Sequence, residues 1–274
     1  MMMDDHRLAH DLAAQAGELL LALRADGGDP RELRDAGDRR SHEFLASQLS
    51  QLRPADAVLS EEGRDDPARL AADRVWIVDP LDGTREFGEP DRTDWAVHVA
   101  LWERGALTAG AVALPAQGRV LSTAQPPAAP PAPAPGAPVR VLVSRTRPPA
   151  FLDRLAERIE LTLIPMGSAG AKAAAVIAGD ADAYVHSGGQ YEWDSAAPVA
   201  VARAAGLHAS RIDGSSLVYN QADPSVPDIL ISPAILAPGL LAAISSVMSA
   251  SGPGRPASTR PRSPARSPGR SRVG

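Results

Sequence analysis

The stretch at residues 75–84, which reads V-W-I-V-D-P-L-D-G-T, constrains the fold of this chain more than any other. Its opening run V-W-I-V is β-branched and aromatic, and it predicts a short buried strand that ends at Asp79 and Pro80. Pro80 biases Asp79 towards an extended backbone, and Gly83 permits a tight turn that leaves the amides of the turn pointing outward. The carboxylates of Asp79 and Asp82 and these free amide donors are therefore expected together at one strand end.

These two carboxylates predict a metal site. Asp79 and Asp82 repel each other unless a cation lies between them, and oxygen ligands on a rigid turn suit a hard ion such as Mg²⁺. For an isolated D-x-x-D motif the more common alternative is a turn whose aspartates only cap a helix. Two further acidic segments favour the metal, because S-E-E at residues 60–62 follows another apolar run and E-W-D-S-A-A-P spans residues 192–198. Acidic residues thus stand at the ends of three strands or loops.

The three motifs S-E-E, W-I-V-D-P-L-D-G-T and W-D-S-A-A-P, in this order and at these separations, resemble the inositol monophosphatase superfamily of magnesium-dependent phosphatases. The resemblance runs from about residue 8 to about residue 248. Within the superfamily the chain looks most like the bacterial phosphatases that act on 3'-phosphoadenosine 5'-phosphate in sulfate assimilation. The fold that this implies is α/β (α+β), a layered αβαβα sandwich of the sugar-phosphatase type.

The resemblance also implies a set of metal and catalytic residues. Two magnesium ions are expected on Glu61, Asp79, Asp82, Asp194 and the carbonyl of Leu81, and a third, weaker ion on Asp38. Thr84 and Glu61 are expected to orient the attacking water, with Asp79 in the same catalytic group. Helix N-capping is the alternative role of Asp38, and a place at a helix N-terminus, where the dipole favours a carboxylate, is the alternative for Asp194.

Substrate contacts are predicted in two groups. The reacting phosphate is expected at Asp82, Gly83, Thr84 and Asp194. Further contacts are expected from Gly167, Ser168 and Lys172. A second phosphate is expected to bind Lys172, with Arg145 or Arg147 as the reserve candidates. The alternative for residues 168–172 is a plain helix start with a solvated lysine. The six histidines form no metal-binding pattern with a third ligand and are interpreted as ordinary surface or core residues.

The metal-binding motifs fit more than one phosphate ester substrate. The predicted reaction is hydrolysis of the 3'-phosphate of 3'-phosphoadenosine 5'-phosphate or of its 5'-phosphosulfate. Inositol 1-phosphate and fructose 1,6-bisphosphate are alternative substrates, although the segment 186–192 lacks a clear equivalent of the glutamate that inositol-specific members carry before W-D. An inactive regulator that binds magnesium or a nucleotide is the alternative from a different functional class.

Periodicity and turn residues predict the elements around these motifs. Helices are expected at residues 8–23, from about 38 to 52, 148–159, 169–178, 195–205 and 233–248. Strands are expected at residues 75–78, 95–102, 107–114, 119–122, 139–143, 161–165, 183–186 and 229–232, the second to fourth of them as a meander. The proline-rich segment 126–138 predicts an exposed polyproline II loop.

Composition divides the chain into a body and a tail. Residues 1–250 are expected to form the phosphatase fold, with halves at about 1–138 and 139–250. Residues 251–274 carry six arginines and no acid, which predicts a disordered tail; without it the formal net charge of −5 becomes −11. An acidic body has no general electrostatic reason to bind nucleic acid or an anionic membrane. A passive extension is the preferred interpretation of the tail, and binding of nucleic acid or of an acidic partner is its alternative.

The expected partner of the body is a small-molecule phosphate ester, and a homodimer is expected from the resemblance alone. The chain has no cysteine, so a disulfide framework, a zinc–thiolate site and a thiol nucleophile are excluded. Asp4 and Asp5 stand where a signal peptide would carry positive charge, and the cytoplasm is therefore the expected location.

Overall fold

The computed structural model describes residues 4–131, 133, 134 and 136–249. The helices are α1 (Asp5–Ala25), α2 (Pro30–Leu52), α3 (Thr84–Phe87), α4 (Leu152–Ala156), α5 (Ala169–Ala178), α6 (Glu192–Ala204) and α7 (Ala237–Ser249). The strands are β1 (Ala57–Ser60), β2 (Arg74–Asp82), β3 (Ala96–Glu103), β4 (Ala106–Leu114), β5 (Arg119–Ser122), β6 (Val139–Ser144), β7 (Leu161–Met166), β8 (Ala183–Tyr191), β9 (Leu207–Ser210) and β10 (Ser225–Pro233). Short 3₁₀ helices span Pro67–Ala71 and Pro115–Gln117.

The elements stack in five layers. Helices α1 and α2 pack on the outer face of the first sheet, α5 and α6 lie between the two sheets, and α4 and α7 cover the outer face of the second sheet. Each sheet buries apolar residues on both faces, which explains why its central strands are almost continuously apolar. The layered αβαβα sandwich predicted from the sequence is confirmed. Within the described ranges, no helix combines the length and apolarity required to cross a bilayer.

The first sheet has the strand order β1-β2-β3-β4-β5, with β1 parallel to β2 and the remaining pairs antiparallel. The predicted meander is therefore confirmed. Strand β2 continues through Pro80 to Asp82, beyond the predicted end. Proline is tolerated there because pairing with β1 ends at Val78 and the ladder with β3 shifts register between Asp79 and Asp82, so no ladder bond requires its missing N–H.

Helix α2 begins well before the predicted start near Asp38. Asp29 caps it by accepting hydrogen bonds from the amides of Arg31 and Glu32, and Pro30 suits the first turn. Asp38 consequently lies inside the helix, and its alternative role as an N-cap is wrong.

The second sheet has the order β7-β6-β8-β10-β9, in which β6 is parallel to β7 and β8 and the other pairs are antiparallel. Several boundaries differ from prediction, since β10 (Ser225–Pro233) starts earlier than predicted and α7 (Ala237–Ser249) starts later. Strand β8 continues past residue 186 because Gly188 and Gly189, with φ of 80° and 69°, bend the strand and pairing with β10 resumes at Gln190. Helix α6 starts earlier than predicted, α4 is shorter, and β9 was not predicted.

The described residues of segment 126–138 form no helix or strand. The predicted tail, residues 251–274, lies outside the described residues.

Candidate active site

Three aspartates meet where the first sheet ends against the central helices. Asp79 and Asp82 lie at the end of β2 and are buried, and Asp194 lies in the first turn of α6. Each of the three offers a carboxylate oxygen, and these atoms lie within 4.8 Å of one another. The side chain of Asp194 also accepts a hydrogen bond of 2.7 Å from the amide of Tyr191, which fixes the start of the helix. An oxygen-only donor set of this kind fits a hard divalent cation.

Glu61 follows β1, the parallel neighbour of β2, so the sheet brings it to the same edge as Asp79. Much of the Glu61 side chain is exposed, but its carboxyl group is partly desolvated by the protein; this desolvation, followed by the charge of Asp194, raises the pKa of Glu61 to about 7. Burial and the charge of Glu61 raise the pKa of Asp79 well above its usual value, and burial and the charge of Asp82 raise the pKa of Asp194 to about 6. The cluster thus favours bound positive charge. Metal ligation by Glu61 and by the Leu81 carbonyl stays a prediction.

Asp82 differs from the other acids because the protein already binds one of its oxygens. Its Oδ2 atom accepts hydrogen bonds from Ser168 Oγ at 2.5 Å and from the amide of Gly170 at 2.7 Å. His98 Nε2 lies 3.1 Å from the same oxygen. Burial alone would raise the pKa of Asp82, but His98 and Lys172 outweigh it and lower this pKa to about 2. Asp82 is therefore a carboxylate, and within the described part of the chain no protein donor bonds its Oδ1 atom.

His98 belongs to this site, although the sequence patterns favoured an ordinary role for every histidine. It pairs in register with Asp79 across β2 and β3, and its Nδ1–H donates to the carbonyl of Trp193 at 3.0 Å. Burial lowers its pKa, but the charge of Asp82 outweighs burial, so the pKa of His98 is raised above its usual value. A polar residue that interrupts the apolar run W-A-V-H-V-A-L was the available sequence signal.

Thr84 and Asp38 meet at the other side of the strand end. Thr84 Oγ1 lies 3.2 Å from Asp38 Oδ1 and 3.0 Å from the carbonyl oxygen of Leu81. The contact exists because α2 packs closely at Gly37, where an added Cβ would lie 2.8 Å from the Phe87 ring. Burial, followed by the charge of Glu62, raises the pKa of Asp38 to about 7. A third ion at Asp38 remains a prediction.

A cleft of about 230 Å³ opens beside the acidic cluster. It is lined by all nine residues predicted as substrate contacts: Asp82, Gly83, Thr84, Arg145, Arg147, Gly167, Ser168, Lys172 and Asp194. It is also lined by residues that the sequence patterns did not single out, among them Arg85, Glu86, His186 and Gln190. Gly83 adopts φ of 86°, and an added Cβ there would come within 3.1 Å of Ser168, so the turn requires glycine.

The basic residues of the cleft differ in what they already bind. Lys172 is buried, and its Nζ donates to the carbonyl oxygens of Gly167 and Ser168 at 2.8 and 2.7 Å. Burial lowers the pKa of Lys172 to about 8. The lysine therefore holds the turn that lines the cleft, and its direct contact with substrate stays a prediction.

Arg145 and Arg147 are not equivalent. The guanidinium of Arg145 pairs with Glu86 at 2.6 Å and with Glu89 at 2.9 Å. Arg147 crosses over Gly189, where an added Cβ would lie 2.7 Å from its Nη1 atom. Among the described residues, no carboxylate pairs with the side chain of Arg147 or of the exposed Arg85. These two arginines are the cations that remain available to an anionic ligand.

The sequence matches the inositol monophosphatase family over residues 6–249. It is 53% identical over 256 residues to the 3'-phosphoadenosine 5'-phosphate phosphatase of Mycobacterium leprae, a match that covers 89% of this chain and 94% of that protein. It is 55% identical over 238 residues to the protein of the same name from Mycobacterium tuberculosis, covering 84% and 89% of the two chains. The crystal structure of CysQ from Bacteroides thetaiotaomicron superposes with a TM-score of 0.73 at 27% identity, over 84% of this chain and 97% of the other.

Proposed function

The chain belongs to the inositol monophosphatase family, and from this premise we propose that it is a magnesium-dependent phosphatase that removes the 3'-phosphate of 3'-phosphoadenosine 5'-phosphate and of its 5'-phosphosulfate. The relatives that are 53% and 55% identical carry the name of this activity. The observation that carries the proposal is one cleft that joins an acidic cluster to two arginines without carboxylate partners among the described residues. A substrate with two separate phosphates matches this arrangement of charge.

The metal site of the proposal is built on Asp79, Asp82 and Asp194. Glu61 and the Leu81 carbonyl would complete the coordination of two Mg²⁺ ions, with Asp38 as ligand of a third. When bound, Mg²⁺ neutralises charge on the reacting phosphate and lowers the pKa of a coordinated water. The donor chemistry supports this assignment, since all donors are oxygens, and burial together with the neighbouring acids raises the pKa values of Asp79 and Asp194.

The chain's own groups then orient the reaction. Thr84 lies between Asp38 and the Leu81 carbonyl, so its hydroxyl is held where it can direct a water towards the phosphate. Glu61, with its pKa raised to about 7, is suited to accept a proton from that water. The amides of Gly83 and Thr84 follow a left-handed turn and would bind phosphate oxygens.

The second phosphate would bind at Arg147, with Arg85 beside the reacting end of the cleft. Arg145 is a weaker candidate because Glu86 and Glu89 already neutralise it. A charged hydrogen bond contributes about 1.5 to 3 kcal/mol, which corresponds to roughly ten- to a hundredfold in affinity. This contribution is absent for inositol 1-phosphate, which has no second phosphate.

A substrate panel tests the proposal. Phosphate release from 3'-phosphoadenosine 5'-phosphate, inositol 1-phosphate and fructose 1,6-bisphosphate is measured at fixed enzyme concentration, with Mg²⁺ and with EDTA. We expect the highest kcat/KM for the nucleotide and no turnover in EDTA. A higher kcat/KM for inositol 1-phosphate would contradict the substrate assignment, and full turnover in EDTA would contradict the metal.

Further parts of the proposal derive from the family alone. The reaction would serve sulfate assimilation in the cytoplasm, the enzyme would be a homodimer, and lithium would inhibit it by occupying a magnesium position with one charge fewer. Titration of activity with lithium chloride against a potassium chloride control tests the last point, and light scattering tests the dimer.

A further inference from the structure

Arg69 fastens an otherwise exposed acidic loop to the body of the protein. The residues from Glu61 to the start of the 3₁₀ helix Pro67–Ala71 are exposed or half-buried, whereas Arg69 is only 1% exposed. Its Nη1 donates to Asn220 Oδ1 at 2.8 Å and its Nη2 to the carbonyl of Gln221 at 2.9 Å. Its Nε donates to Asp65 within the loop at 2.6 Å. The loop that begins with Glu61 is therefore fixed through one buried guanidinium.

Glu192 holds the same two residues from the opposite side. It is the first residue of α6 and is 1% exposed. Its carboxylate accepts hydrogen bonds from the amides of Asn220 and Gln221, each at 2.7 Å. Asn220 has a φ of 60°, a left-handed conformation that turns its amide and its side chain to opposite partners. We call the group Arg69, Glu192, Asn220 and Gln221 the Asn220 clamp.

The clamp joins the two segments that bring acids to the site from outside strand β2. Arg69 anchors the loop that begins with Glu61, and Glu192 lies two residues before Asp194 in the same helical turn. Asp79 and Asp82, in contrast, are held by the sheet itself. A buried arginine and a buried glutamate contribute little net stability compared with apolar side chains of similar size, so their presence points to a role in positioning.

We propose that Arg69 and Glu192 are positioning residues that hold Glu61 and Asp194 at the spacing required to bind magnesium. The inference rests on the proposed metal site and adds residues that do not contact metal or substrate. Disturbing the clamp should weaken magnesium binding more than catalysis at saturating magnesium, because saturating metal would draw Glu61 and Asp194 back to their positions, and the clamp does not hold Thr84 or the amide of Gly83.

The experiment compares full-length variants with a matched control. Glu192→Gln removes the charge and keeps the shape, Arg69→Met removes the guanidinium, and Asn220→Gly keeps the left-handed backbone while removing the side chain that Arg69 binds. Arg211→Met is the control, because it breaks an arginine–aspartate pair of 2.6 Å with Asp228 in the second sheet. Calorimetric titration of metal-free protein with Mg²⁺ gives the dissociation constant, and kcat at saturating Mg²⁺ and Tm are measured alongside.

We expect the clamp variants to bind Mg²⁺ about tenfold or more weakly, with kcat at saturating Mg²⁺ near the wild-type value. The control should lower Tm and leave the dissociation constant unchanged. Unchanged Mg²⁺ affinity in folded Glu192→Gln and Asn220→Gly would overturn the inference, whether or not Arg69→Met folds. An equal loss of affinity in the control would also overturn it, because lost stability would then be the cause. If wild-type protein itself did not bind Mg²⁺, the proposed metal site would fall, and the inference with it.

Discussion

Asp82 uses its two carboxylate oxygens for different purposes. Oδ2 accepts hydrogen bonds from Ser168 and Gly170 and lies 3.1 Å from His98 Nε2, so the side chain cannot rotate without losing buried hydrogen bonds. Among the described residues no donor binds Oδ1, and one carboxylate oxygen of Asp82 lies within 4.8 Å of carboxylate oxygens of Asp79 and Asp194, a spacing that a single cation spans. Such preorganisation reduces the cost of gathering like charges when a metal binds.

The first prediction follows from this division. In Asp82→Asn the side chain has two possible orientations. If its amide oxygen accepts the hydrogen bond from Ser168, its NH₂ group takes the metal-facing position. If the side chain is flipped, its NH₂ group points at the two donors, Ser168 and the amide of Gly170. We expect kcat/KM for the nucleotide to fall by at least about a hundredfold, because metal stabilisation of the transition state is worth several kcal/mol. Phosphate release over a range of Mg²⁺ concentrations measures this loss of kcat/KM. Asp228→Asn, in the second sheet, is the control, and near-normal activity of Asp82→Asn would refute the assignment.

The second prediction separates the two arginines of the cleft. Arg147→Ala should lower kcat/KM for 3'-phosphoadenosine 5'-phosphate by roughly ten- to a hundredfold and leave hydrolysis of inositol 1-phosphate nearly unchanged. Arg145→Ala should affect both substrates alike, because it leaves Glu86 and Glu89 unpaired beside the cleft. Steady-state kinetics on both substrates provide the test. Equal losses of kcat/KM for Arg147→Ala on both substrates would show that Arg147 does not bind the second phosphate.

At the residue scale, sequence motifs pointed to Glu61, Asp79 and Asp82 because these acids follow the apolar runs of two neighbouring strands, whereas Asp194 lies in the first turn of α6, after β8 of the second sheet. The motifs could not show where a side chain points. Lys172 lines the cleft, yet its ammonium is directed at backbone carbonyls. His98 was missed because its contact with Asp82 depends on the register of β2 against β3, which no local pattern specifies.

Among the elements, α5 shows the tightest dependence on one residue. Gly170 stands at its second position, and an added Cβ would lie 2.2 Å from His98 Nε2 and 3.0 Å from Ala96 Cβ. The helix can start this close to β3 only with glycine, and the close approach is what lets the Gly170 amide reach Asp82.

The third prediction tests this packing. Gly170→Ala should destabilise the protein by about 1 to 3 kcal/mol through overpacking and should also lower kcat, since the displaced amide supports Asp82. Gly239→Ala in α7 is the matched control, because an added Cβ there meets nothing within 4 Å and should be neutral or mildly stabilising. Urea unfolding curves and steady-state kinetics measure both effects. Equal stabilities of the two variants would contradict the packing argument.

Element boundaries were predictable where a turn or cap lay in the local sequence. Helix α5 matches its predicted range because Ser168 caps it and Gly179 ends it in a left-handed conformation. The start of α2 was missed because the apolar stripe begins late and the Asp29–Pro30 signal was not used. Strand β9 was missed because a short strand of partly buried residues has little periodicity of its own and is defined by pairing with β10.

For the whole molecule, the uncompensated acids couple stability to pH and to metal. The folded-state pKa values of Glu61 and Asp38, about 7, and of Asp194, about 6, exceed the values near 4 of unfolded chains, and the pKa of Asp79 is also raised. Groups with raised pKa values favour the folded state at low pH and lose that contribution as pH rises through the folded-state pKa. The pKa of Lys172 is lowered to about 8, so its contribution to stability increases with rising pH, but only above about pH 8.

The fourth prediction is therefore that Tm of EDTA-treated protein falls as pH rises from about 5 to about 7.5, and that saturating Mg²⁺ removes most of this fall. Differential scanning calorimetry across this range, with and without Mg²⁺, measures it, and Ca²⁺ and K⁺ serve as ionic controls. A Tm that is independent of pH without metal, or that falls equally with Mg²⁺, would contradict the coupling.

The layered architecture was predictable because the strand patterns separate into a meander and an alternating α/β half, and the family resemblance supplied how they stack. The pairing order of the second sheet was not predictable, since it places β8 between β6 and β10 through contacts distant in sequence. The network around Asn220 was likewise beyond prediction, because it joins residues 151 positions apart through a left-handed asparagine.

Asp82 belongs to the first sheet, whereas Ser168 and Gly170, which hold its Oδ2 atom, follow the proline-rich segment 126–138. A ribosome therefore releases the strand end that carries Asp82 before it has made the groups that orient it, and we expect a chain that stops before residue 168 to be catalytically inactive. Fragment complementation tests this division. We expect co-expressed residues 1–128 and 129–274 to restore a phosphate release that neither fragment shows alone, and turnover by the first fragment by itself would refute this.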